Sequence, residues 1–138
     1  MRRSIEVEAR AALETLLGQV SAVKVRDIKI ESPGPHRRKD ILARIDVYGR
    51  GHVLFCRVKT GDQARVVRNA MHELRSVPQR GEEEITPVLI APQLSKEARA
   101  QCRMGRLSFL DLEGNAHLEF QEYFFDKTCV PGPEGASR

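Results

Sequence analysis

Apolar residues recur at helical spacing near the start of the chain, and this spacing predicts a helix over residues 3–17. Ile5, Ala9, Ala12, Leu13, Leu16, Leu17 and Val20 share one stripe, with Gly18 placed to end the helix. Residues 23–31 are β-branched and charged, as in a strand. Their apolar phase slips between Val25 and Ile28, which suggests a bulge or a two-sided strand. Ser32-Pro33-Gly34-Pro35 then breaks the pattern. Residues 41–48 alternate: Ile41, Ala43, Ile45 and Val47 face one way, Asp40, Leu42, Arg44, Asp46 and Tyr48 the other. Gly49-Arg50-Gly51 reads as a hairpin turn and residues 52–60 as the return strand.

A second amphipathic helix is expected over residues 63–76. Val66, Val67, Ala70, Met71 and Leu74 form its buried stripe, Arg65, Arg68, His72 and Arg75 lie outside it, and Pro78 closes the segment. Residues 86–91 form a short continuous apolar run, as in a central strand covered on both faces. Ser95 is a good N-cap for a helix reaching Met104, with Gly105 as its stop. Residues 107–112 and 116–120 read as two more strands, joined through Glu113-Gly114-Asn115. The order is α-β-β-β-α-β-α-β-β. A three-strand meander followed by βα crossovers implies a mixed central sheet with helices on both faces, a three-layer α/β/α domain over residues 1–126 with a loose tail at 127–138.

At 138 residues the chain can bury an ordinary core as one domain, and 41% hydrophobic with 30% charged residues is a globular balance. No apolar run approaches the ~18 residues of a membrane span. Met1-Arg2-Arg3 leads into a charged amphipathic segment, not an export signal, so a cytoplasmic protein is expected. Cys56, Cys102 and Cys129 lack paired-ligand spacing and read as reduced thiols without zinc.

The net charge of +4 conceals an asymmetry. Residues 1–80 carry 17 Lys/Arg against 9 Asp/Glu, while residues 81–138 carry 6 against 10. Arg37-Arg38-Lys39 and Arg65/Arg68/Arg75 could neutralise phosphates by counterion release, or could simply be a solvated charged face.

The candidate chemistry lies around residues 53–59, Val-Leu-Phe-Cys-Arg-Val-Lys. Metal-assisted phosphodiester cleavage needs carboxylates for Mg²⁺ and a cation beside the phosphate. Arg57 and Lys59 are two apart and emerge on one face of a strand, and Asp40 opens the antiparallel neighbour. Asp46 shares the face of Asp40 but lies six residues along, roughly 20 Å at strand rise, too far to chelate jointly. Glu73 could approach the site from the following helix, or could be a surface partner of Arg75. Glu8 and Glu14 could approach from the first helix or face water. His36, His52, His72 and His117 are scattered, and neither Cys56 nor Cys102 has the partners of a nucleophile. Asp111 and Asn115 flank a turn and read as turn chemistry.

Asp40-Ile-Leu-Ala-Arg-Ile-Asp followed by Leu54-Phe-Cys-Arg-Val-Lys59, in αβββαβ order, resembles the PD-(D/E)XK, or restriction-endonuclease-like, superfamily. Residues 60–68, Pro87-Val-Leu-Ile-Ala-Pro92 and Leu110-Asp-Leu-Glu-Gly-Asn-Ala116 are similar to an uncharacterised bacterial nuclease-like family related to the nuclease-like portions of type IV abortive-infection antitoxins. The resemblance spans residues 5–125. It implies that Asp40 is the first metal-binding aspartate, Lys59 the catalytic lysine and Gln63 a polar residue near phosphate. Arg57 occupies the place of the second acid. A cation there repels Mg²⁺ and suits a phosphate oxygen instead.

Three functions are compatible with these residues. The first is a degenerate nuclease-like domain with an impaired metal site and no resident cofactor. It would be antitoxin-like or regulatory and bind DNA through Arg37, Arg38, Arg57, Lys59, Gln63, Arg65 and Arg68. The second is an active Mg²⁺-dependent DNA nuclease using Asp40, Lys59 and a relocated acid, Glu73. The third is a protein-interaction module, docking a protein partner or a second copy.

Overall fold

A computed structural model describes residues 5–31, 40–61, 63–74, 84–120 and 123–128. The elements run α1 (Ile5–Gly18), β1 (Val23–Glu31), β2 (Asp40–Val47), β3 (Arg50–Val58), α2 (Gln63–Leu74), β4 (Glu84–Ala91), α3 (Lys96–Met104), β5 (Ser108–Asp111), β6 (Ala116–Phe120) and β7 (Tyr123–Lys127). All seven strands form one sheet in sequential order. The meander β1-β2-β3 is antiparallel, β3-β4-β5 is parallel through the two helical crossovers, and β5-β6-β7 is antiparallel again. The fold is mixed α/β. Among the described residues, no helix is long and apolar enough to cross a membrane.

The alternation read from the sequence divides the core in two. Ile41, Ala43, Ile45, Leu54, Cys56, Val88 and Ile90 meet the stripe of α1: Ala9, Leu13, Leu16 and Leu17. The opposite side chains of the same strands, Leu89, Ala91 and half-buried Phe55, meet Val66, Val67, Ala70 and Leu74 of α2 and Ala98 and Cys102 of α3. A strand with both faces covered needs a continuous apolar run, and Val88-Leu89-Ile90-Ala91 is buried throughout.

Four local features depart from or refine the sequence expectation. The slip in β1 is a bulge, with the register shifting between Val25 and Asp27. The β2–β3 hairpin turns on Tyr48-Gly49, not Gly49-Arg50-Gly51. Val47 pairs directly with Arg50, and Tyr48 and Gly49 have φ of 50° and 82°. Positive φ at both central residues marks the two-residue turn that matches sheet twist, so Tyr48 leaves the strand. Ser95 caps α3 by accepting a 3.1 Å bond from the Ala98 amide, and Gly105 ends the helix as its C-cap, followed by Arg106 at φ 58°. Gly105 also sits where an added Cβ would meet Met71 Cε at 2.6 Å. Finally, the chain continues past β6 into a seventh strand, over residues to which the sequence pattern assigns no element and with its last residue, Lys127, in the expected tail. Its Lys127 donates to Gln19 Oε1 at 3.1 Å.

Candidate functional site: a four-charge cluster between β2, β3 and α2

Strand register brings the first two members together. Asp40 and Arg57 are direct cross-strand partners, and both point to the face covered by α2, opposite the α1 side to which Ile41 and Cys56 belong. Arg57 Nε donates to Asp40 Oδ1 at 3.1 Å, and its NH2 lies 3.4 Å from Oδ2. The guanidinium carbon sits 5.5 Å from the centre of the Phe55 ring, two residues back on the same face.

The crossover supplies the other acid. Glu73 is one position from the buried stripe of α2, so it leans over the sheet beside Leu74. Its Oε1 accepts from Arg57 NH1 at 2.8 Å and lies 3.0 Å from Lys59 Nζ. Its Oε2 accepts from the same ammonium at 3.2 Å. Lys59 lies just past β3, held by its own amide on the Ile90 carbonyl at 2.9 Å. The result is an alternating chain, Asp40–Arg57–Glu73–Lys59, in which two negative and two positive charges cancel. Side-chain exposure rises from 8% at Asp40 and 15–16% at the two cations to 29% at Glu73. Glu73 is thus the outermost member.

The charges stabilise one another. Burial works against the Arg57 cation, but its bonds to Asp40 and Glu73 more than offset this and raise its pKa. Burial pushes the Glu73 carboxyl upward, yet the bonds from Arg57 and Lys59 outweigh it and hold the group below the ordinary carboxylate value. Cys56 beneath the cluster has its thiol pushed far up, by burial first and then by the Asp40 charge. Burial takes Cys102 up to about 12, against the pull of Arg103. Neither cysteine is a nucleophile at neutral pH.

Asp40 and Glu73 do not fit a divalent metal in this arrangement. The guanidinium of Arg57 bonds to both carboxylates, so a fixed cation already stands between them. Among the described residues, no three His, Cys, Asp or Glu side chains gather as a metal site would require.

Beside the cluster, a cavity of about 260 Å³ is lined by Lys59, Thr60, Gly61, Arg65, Val66 and Asn69. Arg65 and Arg68 lie exposed on α2. Gln63 is the first residue of α2, and its side chain, like His36, Arg37, Arg38 and Arg75, lies outside the described residues. Glu8 and Glu14 are exposed on α1, which covers the other face of the sheet. Asp46 pairs with Arg26 at 2.9 Å. His52 is buried and shares a 2.6 Å hydrogen bond with Thr86, while His72 is exposed.

A second polar group was not anticipated. Buried His117 has Nδ1 3.2 Å from Asp126 and Nε2 3.4 Å from Glu119, with its ring stacked 5.8 Å from Phe109. The signal was the short run Tyr123-Phe-Phe-Asp-Lys127 after β6, whose register places Asp126 opposite His117. The two carboxylates approach opposite edges of the ring, so they cannot share one ion with it.

No family model matches the sequence, and no curated protein matches it. Among solved structures, the apo form of EndoMS is similar with a TM-score of 0.49 and 14% identity, over 88% of this chain and 49% of that one. The chain therefore spans about half the length of that protein.

Proposed function

We propose that this chain is a nuclease-like domain in which an arginine takes the place of the catalytic metal, and that it binds nucleic acid without cutting it. One observation carries the reading: Arg57 bonds Asp40 through Nε and NH2 and Glu73 through NH1. A carboxylate pair neutralised by a built-in cation gains little from Mg²⁺, which would have to displace a guanidinium and shed its own water. The αβββαβ order and the positions of Asp40 and Lys59 support the restriction-endonuclease-like assignment. The DNA-facing surface in this reading is Arg57, Lys59, Arg65 and Arg68, with Arg37, Arg38 and Gln63 added from the sequence. An antitoxin-like, regulatory role rests on the resemblance of residues 60–68, 87–92 and 110–116 alone.

A second reading has an observation of its own. Glu73 converges on Lys59, as a relocated catalytic acid would. An active Mg²⁺-dependent nuclease would then use Asp40, Glu73 and Lys59, with Arg57 swinging aside.

Calorimetric titration of Mn²⁺ separates the two. The native chain is expected to take up no Mn²⁺, and Arg57→Glu, which restores an acid at that place, to acquire binding that Asp40→Ala removes again. Mn²⁺ uptake by the native chain that vanishes in Asp40→Ala, together with metal-dependent cleavage of duplex DNA, would overturn the proposal in favour of the second reading.

A further inference from the structure

The four charges are not equally placed, and the difference bears on how the proposed nucleic-acid site is regulated. Asp40 is the deepest and is bound side-on by Arg57. Glu73 is the most exposed, and it alone touches both cations: its Oε1 lies 2.8 Å from Arg57 NH1 and 3.0 Å from Lys59 Nζ, and its Oε2 lies 3.2 Å from the same Nζ. Two oxygens of one anionic group spanning a guanidinium and an ammonium is the arrangement a phosphodiester adopts on such a pair. The cavity lined by Thr60, Gly61, Arg65 and Asn69 also includes Lys59 in its wall, so an anion in it would approach the ammonium from the solvent side. Glu73 and that anion would compete for the same donors.

We infer that Glu73 is an internal competitor of phosphate: its carboxylate occupies the anion seat formed by Arg57 and Lys59, and a nucleic-acid phosphate binds there by displacing it. The inference rests on the nucleic-acid reading above and adds its regulation. In the resting chain the cluster is neutral and offers little attraction beyond that of Arg65 and Arg68. When Glu73 turns outward, two cations become available together. Arg57 remains held by Asp40, so the seat keeps its shape while the latch moves.

The test is fluorescence anisotropy of a labelled duplex DNA, titrated across a salt series with the native full chain and with Glu73→Gln, Glu73→Ala and Glu14→Gln. Glu14 is exposed on α1, on the other face of the sheet, so its substitution removes the same charge without touching the cluster. Both Glu73 variants are expected to bind roughly tenfold more tightly, with a log-affinity against log-salt slope steeper by about one. Glu14→Gln should change affinity by less than about twofold, the scale of one distant screened charge. Circular dichroism melts establish that each variant is folded.

Native binding that Glu73→Gln and Glu73→Ala leave unchanged or weaken would overturn the latch while leaving the nucleic-acid reading intact. An equal gain in Glu14→Gln would overturn it too, because the effect would then be one of net charge. If neither the native chain nor any variant binds DNA, the latch and the nucleic-acid reading fall together. Metal-dependent cleavage by the native chain that Glu73→Gln abolishes would make Glu73 a catalytic acid and overturn both.

Discussion

Asp40 and Asp111 are both buried strand residues, 5% and 0% exposed, and the protein satisfies them in opposite ways. Asp111 takes its bonds from neutral amide donors, three of them within four residues and the fourth, the Leu94 amide, seventeen residues away. Its Oδ1 accepts from the amides of Glu113 and Asn115 at 3.0 and 2.9 Å, and its Oδ2 from Asn115 Nδ2 and the Leu94 amide at 2.8 and 3.3 Å. Asp40 depends on a guanidinium seventeen residues away, which is shared with a second acid. The first arrangement closes a turn and needs no further partner. The second leaves its outermost member, Glu73, partly open to solvent. The comparison teaches that burial of a carboxylate does not identify a site. What sets Asp40 apart is the charge of its donor.

The largest expected effect comes from breaking the neutral arrangement. Asp111→Ala strands four donors at once at the β5–β6 turn, beneath the loop that enters α3. Leaving buried donors unpaired costs about 1–3 kcal/mol each where the structure cannot relax, so a total near 4 kcal/mol is expected, read as a fall in the urea midpoint at unchanged slope. A loss of under about 1 kcal/mol would show that water replaces the carboxylate freely. The distinction between the two aspartates would then lose its basis.

A smaller but pH-dependent effect is expected at the charged cluster. Arg57→Met leaves Asp40 and Glu73 without their shared cation and should cost about 3 kcal/mol at neutral pH, as breaking a partly buried pair does. Adding Asp40→Asn should return part of that loss. The acid limb gives the sharper signature. Glu73 has a folded-state pKa below its ordinary value of 4.5, so its contribution is fully present above that value and is lost as pH falls through the lower folded one. The stability gap between the native chain and Glu73→Gln should therefore narrow as pH drops below about 4.5. A gap that stays constant in urea melts down to pH 3 would mean that Glu73 is held by packing, not by charge.

How much of this was legible in the sequence follows from the range of the forces involved. Local signals transferred well. The Ser95 cap, the β1 bulge, the alternation in β2 and the Asp111–Asn115 turn each depend on residues a few positions apart, and each is present. Even so, Asn115 serves by its amide and Gly114 takes the positive φ of 103°. The Asp40–Arg57 pair was half legible, because strand spacing places both on one face but cannot show which donor meets which acceptor. The bridge from Glu73 to both cations was beyond the sequence, since it depends on how α2 is rotated over the sheet. That rotation is set by the packing of Val66, Val67, Ala70 and Leu74. The hairpin turn was misplaced by one residue because a tyrosine at positive φ runs against its steric preference. The seventh strand is not legible because Tyr123-Phe-Phe-Asp-Lys127 neither alternates nor follows a Gly, Pro or Asn turn signal.

The smallest effect is also the most direct test of the comparison, because it removes a guanidinium from the neutral arrangement. Arg99 NH1 donates to Asn115 Oδ1 at 3.0 Å, and its Nε approaches the Ser95 carbonyl at 3.4 Å. It therefore supports the Asp111 turn from outside, without touching the carboxylate. Arg99→Met keeps the aliphatic stem and leaves all four donors on Asp111 in place, so the expected loss is about 1 kcal/mol, the net worth of one hydrogen bond. Arg57→Met, by the same chemical change, should cost about three times as much, because it uncovers Asp40 and takes one of the two cations from Glu73. Guanidinium-chloride melts of the two variants side by side would decide the matter. Equal losses would mean that both aspartates lean on arginine alike, and the division between a structural turn and a charge-bearing site would have to be abandoned.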